Sequence, residues 1–305
     1  MKKLLLFIKN LNYLSRYSVK DIYKRLNTCE QLVDDSFYAL DHIRYEIVDD
    51  FEYVKQLKQK YKFYNAEETV NKLINSNCSI CRFGDGEINL IKGGVDIVFE
   101  KQNKKLAESL RKVISSNNPN ILVAVPDLFH SFGNVDFHAR KVTRIFYSRN
   151  HDFLLSLLKP NVGYYCAGFT IPYINSGNSV FDFDTYYNNI KKIWDNKEIV
   201  IICGDRVFHN IEYNIYDNAS SIEYILCPTT NAYQHYDEIL YKAKKIDKNK
   251  IVIIMLGPTA TVLAYDLANL GYRALDTGHL AKDYDAYCKN IPSNAENICK
   301  FFDAD

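Results

Sequence analysis

Residues 251–279 read IVIIMLGPTATVLAYDLANLGYRALDTGH, and the order of that stretch decides the fold. Ile251–Leu256 is a short, β-branched, wholly apolar run, which suits a strand buried on both faces. Gly257-Pro258-Thr259 breaks it, with Pro placed for the first turn of a helix. An amphipathic segment follows over Thr259–Leu270, and Tyr272–Leu275 reads as a second strand ending in Asp276-Thr277-Gly278-His279. Strand, helix and strand in succession make a βαβ unit, whose strands run parallel.

The same alternation extends upstream. Ser79–Phe83, Ile121–Val125, Gly163–Ala167, Ile199–Cys203 and Ile222–Cys227 are further strand candidates. Helical segments are expected near Lys104–Ser116, Thr185–Asp195 and Ala232–Lys245. The fold class is therefore α/β, a mainly parallel sheet with helices on both faces, spanning residues 66–289. Residues 1–65 differ. They contain no Gly or Pro and carry helical spacing such as Leu4, Ile8, Leu11 and Leu14, so they form an N-terminal helical extension. Ser18 is placed to cap a helix starting near Val19. Such an extension docks on its own domain or a sister subunit as a homo-oligomer contact, or rests peripherally on a membrane. Residues 290–305 form a short helix or tail.

Composition narrows the function. Of 305 residues, 38 are Lys or Arg and 37 Asp or Glu, a net charge of +1 that gives no reason to expect nucleic acid as partner. A hydrophobic share of 47% rules out global disorder. Met1-Lys2-Lys3 and Leu4–Ile8 resemble the start of a signal peptide, but the apolar run is short and no cleavage site follows. No run reaches the ~18 apolar residues of a spanning helix. Among the eight cysteines, Cys166, Cys203 and Cys227 fall in or beside apolar runs, as reduced core residues do. Cys78 and Cys81 have metal spacing, but they lie within a strand and lack a second pair. The expected location is the cytoplasm, including the inner face of the membrane.

Chemistry gathers after the strands. In an open parallel sheet the strand tips share one edge, where ligands bind. Arg82-Phe83-Gly84-Asp85-Gly86-Glu87 is the sharpest motif. Its glycines let the backbone turn and approach a ligand, and Asp85 and Glu87 offer hard oxygens to Mn²⁺ or Mg²⁺ shared with a diphosphate. The bland reading is an acidic first helical turn. Gly257, Pro258 and Thr259 open a helix whose free N–H groups suit phosphate, with Thr259 adding a hydroxyl; a plain strand–helix junction explains them equally. Asp205 and Arg206 follow one strand tip and Asn231 another. His279 has the chemistry of a third metal ligand or a proton-transfer group, titrating near ~6.5 if solvated. Gly-x-Gly-x-x-Gly and the P-loop signature are absent, which disfavours a dinucleotide oxidoreductase or P-loop kinase.

Taken together, these motifs resemble the GT-D type glycosyltransferases, bacterial enzymes first catalogued as a domain of unknown function. The matching stretches are Arg82–Glu87, Ile222–Pro228 with Asn231-Ala232-Tyr233, Leu256–Ala260 through Leu263–Leu267, and Gly271–His279. They cover roughly residues 66–287. The resemblance implies a Rossmann-like fold, a nucleotide-sugar donor that is typically UDP-linked, and a divalent metal on Asp85 and Glu87. It also implies a glycan or glycoprotein acceptor in bacterial surface polysaccharide assembly. The chain departs from the family at Ile171, where an Arg is usual before Pro172-Tyr173. It departs again at His209–Asn214, which stands in place of a glycine-rich Asn-Asp motif.

The expected function is a metal-dependent glycosyltransferase. Arg82, Gly84, Asp205, Arg206, Asn231, Gly257, Pro258 and Thr259 are its candidate donor contacts, and Asp85, Glu87 and His279 its catalytic and metal residues. Glu100, Asp127 and Asp205 are undistinguished candidate bases. The alternatives are a metal-dependent phosphohydrolase on the same acidic edge and a non-catalytic nucleotide-binding scaffold subunit.

Overall fold

The protein is described from a computed structural model covering residues 19–44, 59–94, 96–126, 146, 150, 152–176 and 181–302. Eight strands form one sheet: β1 Lys62–Phe63, β2 Ser79–Arg82, β3 Ile121–Val125, β4 Gly163–Cys166, β5 Glu198–Gly204, β6 Ser221–Cys227, β7 Ile251–Met255 and β8 Arg273–Asp276. Their order is β1-β4-β3-β2-β8-β7-β5-β6. Every pairing between these strands is parallel. The seven strands expected from sequence are all present. The eighth, β1, has only two residues, too short for any periodicity to mark it, and it lies inside the segment assigned to the extension.

Helices cover both faces because the central strands are apolar on both. Along β7, Val252 and Ile254 join one core with Leu106 and Leu263. Ile251, Ile253 and Met255 point to the other, with Leu73, Ile190 and Leu280. Ile253 and Ile254 are fully buried, and each such side chain contributes roughly 2 kcal/mol by leaving water. β6 is the edge strand opposite β1 and is only half buried, with Tyr224 and Leu226 exposed.

The helices among the described residues are α1 Val19–Arg44, α2 Ala66–Ile74, α3 Asp85–Lys92, α4 Lys104–Ile114, α5 Pro172–Ser176, α6 Phe183–Lys191, α7 Tyr236–Ala243, α8 Pro258–Asn269, α9 Leu280–Cys288 and α10 Ala295–Phe301. α8 follows β7 directly and is buried nearly all round, from Pro258 to Leu267. α1 accounts for part of the expected helical extension, while the cap expected at Ser18 lies outside the described residues. α10 falls in the expected tail, where Ile298 and Phe301 are buried against Ile174. Cys78 and Cys81 are buried free thiols, as a core reading requires. No helix among the described residues is long and apolar enough to cross a membrane.

Candidate active site

Strand order locates the site. From β5 the chain crosses outward to β6, whereas from β7 it crosses the opposite way to β8. Loops leaving neighbouring strands in opposite directions open a crevice beyond their carboxyl ends. A pocket lies there, lined by Arg82 from β2, Gly204 from β5, Gly257 after β7 and His279 after β8, with Phe99 and Lys282.

Arg82 is the hub. Its backbone N–H donates to Asp276 Oδ2 at 3.2 Å, and its Nε stands 4.0 Å from Asp276 Oδ1. The Thr261 hydroxyl lies 2.8 Å from the Arg82 carbonyl oxygen and 3.1 Å from Asp276 Oδ2. Asp276 also accepts from the Gly278 N–H at 3.2 Å. Burial raises the Asp276 pKa, and the Arg82 charge opposes that shift. Arg82 Nε is nonetheless buried without a hydrogen-bond partner. Arg82 also lines the pocket, and a guanidinium held there suits an anionic ligand. Gly278 makes room for this side chain: its φ is +48°, and a Cβ there would overlap the guanidinium.

The acidic pair is split. Asp85, the first residue of α3, is exposed. Glu87 is buried and folds back, its Oε2 accepting from the Gly84 N–H at 2.6 Å, one half of a helix-capping box. Residues two apart on a helix do not share a face. Burial pushes the Glu87 carboxyl up to about 7 against the pull of Arg82.

His279 lies among aromatic rings, with centroids 5.6 Å from Phe99, 5.6 Å from Phe301 and 5.4 Å from Phe302. Burial first, then Arg82 and Lys282, drive its pKa down to about 3. The sequence expectation of titration near ~6.5 assumed solvent, whereas the half-buried ring beside two cations favours the neutral imidazole. Among the described residues, no three His, Cys, Asp or Glu side chains gather into a metal cluster, so Asp85, Glu87 and His279 do not form one ligand set. The donor chemistry suits a divalent ion at Asp85, because Mg²⁺-like ions take one or two carboxylates and complete their shell with water and phosphate oxygens.

The remaining candidates divide between rim and scaffold. Asp205 and Arg206 are exposed after β5. Asp205 Oδ1 accepts from the Thr229 hydroxyl at 2.7 Å, and that bond holds its pKa low. Thr259 is fully buried and donates its hydroxyl to Glu100 Oε1 at 2.7 Å, which also accepts from the Tyr233 N–H at 2.8 Å. Asn231, in the left-handed conformation, donates its N–H to the Phe99 carbonyl at 2.8 Å and accepts from the Lys101 N–H at 3.0 Å. Thr259, Asn231 and Glu100 thus strap residues 99–101 over the pocket. Gly257 opens α8 with φ +50°, its Cβ position 3.1 Å from Phe99. Asp127 lies outside the described residues. Sequence reasoning missed Phe99 and Lys282. The only local signal for Lys282 is its position one helical turn beyond His279.

Fold and crevice together define an open parallel α/β protein with a pocket at its topological switch. The chain belongs to the GT-D glycosyltransferase family: the model of the glycosyltransferase GT-D fold matches residues 80–301. It is 30% identical over 224 residues to the probable glycosyl transferase Gly of Streptococcus gordonii, covering 72% of this chain and 32% of that protein. It is 29% identical over 221 residues to the glycosyltransferase GlyD of Streptococcus pneumoniae serotype 4, covering 72% and 27%. The chain therefore spans about a third or less of the length of these curated relatives. Among solved structures, a domain of unknown function 1792 described as having a distinct glycosyltransferase fold superposes with TM-score 0.70 at 31% identity, over 76% of this chain and 83% of that one. A DUF1792 glycosyltransferase from Streptococcus sanguinis gives 0.72 at 27% identity, over 77% and 87%.

Proposed function

We propose that the chain transfers a sugar from a nucleotide-linked donor, with UDP as the carrier, to a hydroxyl of a glycan or glycoprotein acceptor in bacterial surface assembly. The carrying observation is the Arg82 guanidinium, held by Asp276 and lining a crevice at the switch point. Its likeness to relatives named glycosyltransferases supports the same reading.

In this reading Phe99 offers a ring face to the base, and Arg82 and Lys282 face the diphosphate. Charge grows on that diphosphate as the sugar leaves, and fixed cations in a partly dry crevice stabilise it. Asp276 and Glu87 keep Arg82 in place from below. Asp85 would hold Mn²⁺ or Mg²⁺, whose chemistry there is Lewis-acid neutralisation of the leaving group. Glu87, with Oε2 taken by the Gly84 N–H, would have Oε1 to offer it. Of the candidate bases, Glu100 is committed to Thr259 and Tyr233, while Asp205 stays exposed and ionised at the rim.

Calorimetric titration with UDP tests this. Wild type is expected to bind more tightly with Mn²⁺ than without, and Asp85→Asn to lose most of that gain. Equal affinity in Asp85→Asn would remove the metal from Asp85. Consumption of UDP-sugar as fast in water alone as with an acceptor would favour a phosphohydrolase. Metal-dependent UDP binding without turnover across an acceptor panel would favour the scaffold reading.

A further inference from the structure

α1 is one uninterrupted helix of 26 residues, about 39 Å long at the usual rise. Its apolar residues do not follow the period of a helix lying on a globular core. They recur at alternating steps of three and four, the seven-residue repeat of a coiled coil. Val19, Leu26, Val33 and Leu40 fall at the first core position of each heptad, and Ile22, Cys29, Ser36 and Ile43 at the second. Beyond α1 the sequence puts Ile47, Val54 and Leu57 at core positions, with Asp50 interrupting them.

This seam is bare. Leu26 and Val33 are 57% exposed, Leu40 64%, and the flanking Tyr23 and Phe37 67% and 68%. An apolar stripe of that length facing water needs a partner.

We infer that α1 associates with α1 of a second copy of this chain, parallel and in register. Charge complementarity selects this occupant and orientation. Arg25 flanks the seam on one side and Glu30 on the other, five residues apart. That offset brings Arg25 of one helix opposite Glu30 of a parallel partner, and the two-fold axis makes the pair twice. An antiparallel pairing that keeps the core positions matched sets Glu30 against Glu30 instead. An anionic membrane is the poorer partner, because α1 carries four Lys or Arg against five Asp or Glu. The pairing is independent of what the crevice binds.

Sedimentation equilibrium of the full chain reads the first outcome. A mass of at least twice 35.4 kDa is expected, and a monomer throughout the micromolar range overturns the inference. Cys29 reads the orientation, since the seam places it against itself only when the helices are parallel and in register. Diamide, taking up two protons and two electrons, is expected to join two Cys29 thiols as a disulfide in wild type but not in Cys29→Ser. A dimer that gives no Cys29 link rejects the parallel register. Arg25→Glu is expected to weaken association roughly tenfold by turning two attractions into repulsions, and adding Glu30→Arg to restore it. Failure of that rescue also overturns the pairing. So does flotation of monomer with phosphatidylglycerol vesicles. All these substitutions fall on exposed residues of α1, so the melting of the sheet domain should not change.

Discussion

Two groups of buried carboxylates flank the turn at Thr277–His279, and they differ in what they hold. Before the turn, Asp276 and Glu87 surround Arg82, whose Nε is ion-paired with Asp276 but makes no hydrogen bond. Beyond it, on α9, Asp283 accepts from the Tyr173 N–H at 3.1 Å, the Ile174 N–H at 3.0 Å and the Tyr187 hydroxyl at 2.7 Å. Asp285 takes the Glu212 and Tyr213 N–H groups at 2.9 and 3.0 Å and Lys289 at 2.7 Å. The second group is saturated and ties down the start of α5 and the loop at Glu212–Tyr213. The first is one donor short of complete. The first group lines the crevice, where the proposed reading puts the donor, and the second supports the elements around it.

The largest effect should come from breaking the support. Asp283→Ala leaves three buried donors without an acceptor and is expected to cost about 3–5 kcal/mol in urea denaturation. Nucleotide affinity of the protein that remains folded should be near wild type. An equal loss of binding and stability would erase the distinction between the groups.

Asp283 also gives the support a pH signature. Burial raises its carboxyl to about 7 in the folded protein, against ~3.9 when unfolded. Its contribution is therefore fully present below pH ~4 and lost as pH rises through about 7, because only the folded state retains the proton in that window. The change amounts to at most roughly 4 kcal/mol. Asp283→Asn, which cannot ionise, should flatten the fall in stability between those pH values. A slope identical to wild type would mean that Asp283 stays ionised.

Gly278→Ala probes the site group. The added methyl must displace the Arg82 guanidinium, and its φ of +48° disfavours any side chain. A loss of roughly tenfold in UDP affinity is expected, with about 1–2 kcal/mol of stability. Unchanged affinity would show that Arg82 does not meet the nucleotide. Asp285→Asn should do least. Its amide oxygen still accepts both backbone N–H groups, so losing the Lys289 charge costs about 1 kcal/mol, measurable as a small fall in melting temperature.

The contrast explains what the sequence made legible. Strands were readable because Ile251–Met255 and its neighbours are apolar on both faces, a local property. The edge tips were readable because turn residues follow each strand. Glu87 was legible only as a residue type: Asp-x-Glu spacing suggests a pair of ligands, while the bond from the Gly84 N–H turns one carboxylate inward. Asp283 gave no signal, because its partners lie more than a hundred residues away at Tyr173 and Ile174. The surroundings of His279 were hidden for the same reason, since Phe99 comes from the other half of the chain and Phe301 and Phe302 from what looked like a tail.

The strap over the crevice has a consequence for exchange with solvent. The N–H groups of Lys101, Asn231 and Tyr233 each cross between residues 99–101 and 231–233. Lifting that short segment releases all three together, so their amide protons should be replaced by deuterium at one common rate, slower than those of either flanking loop. A nucleotide stacked on Phe99 would hold the segment down, and the three protons would then slow in unison, reporting on occupancy without any label.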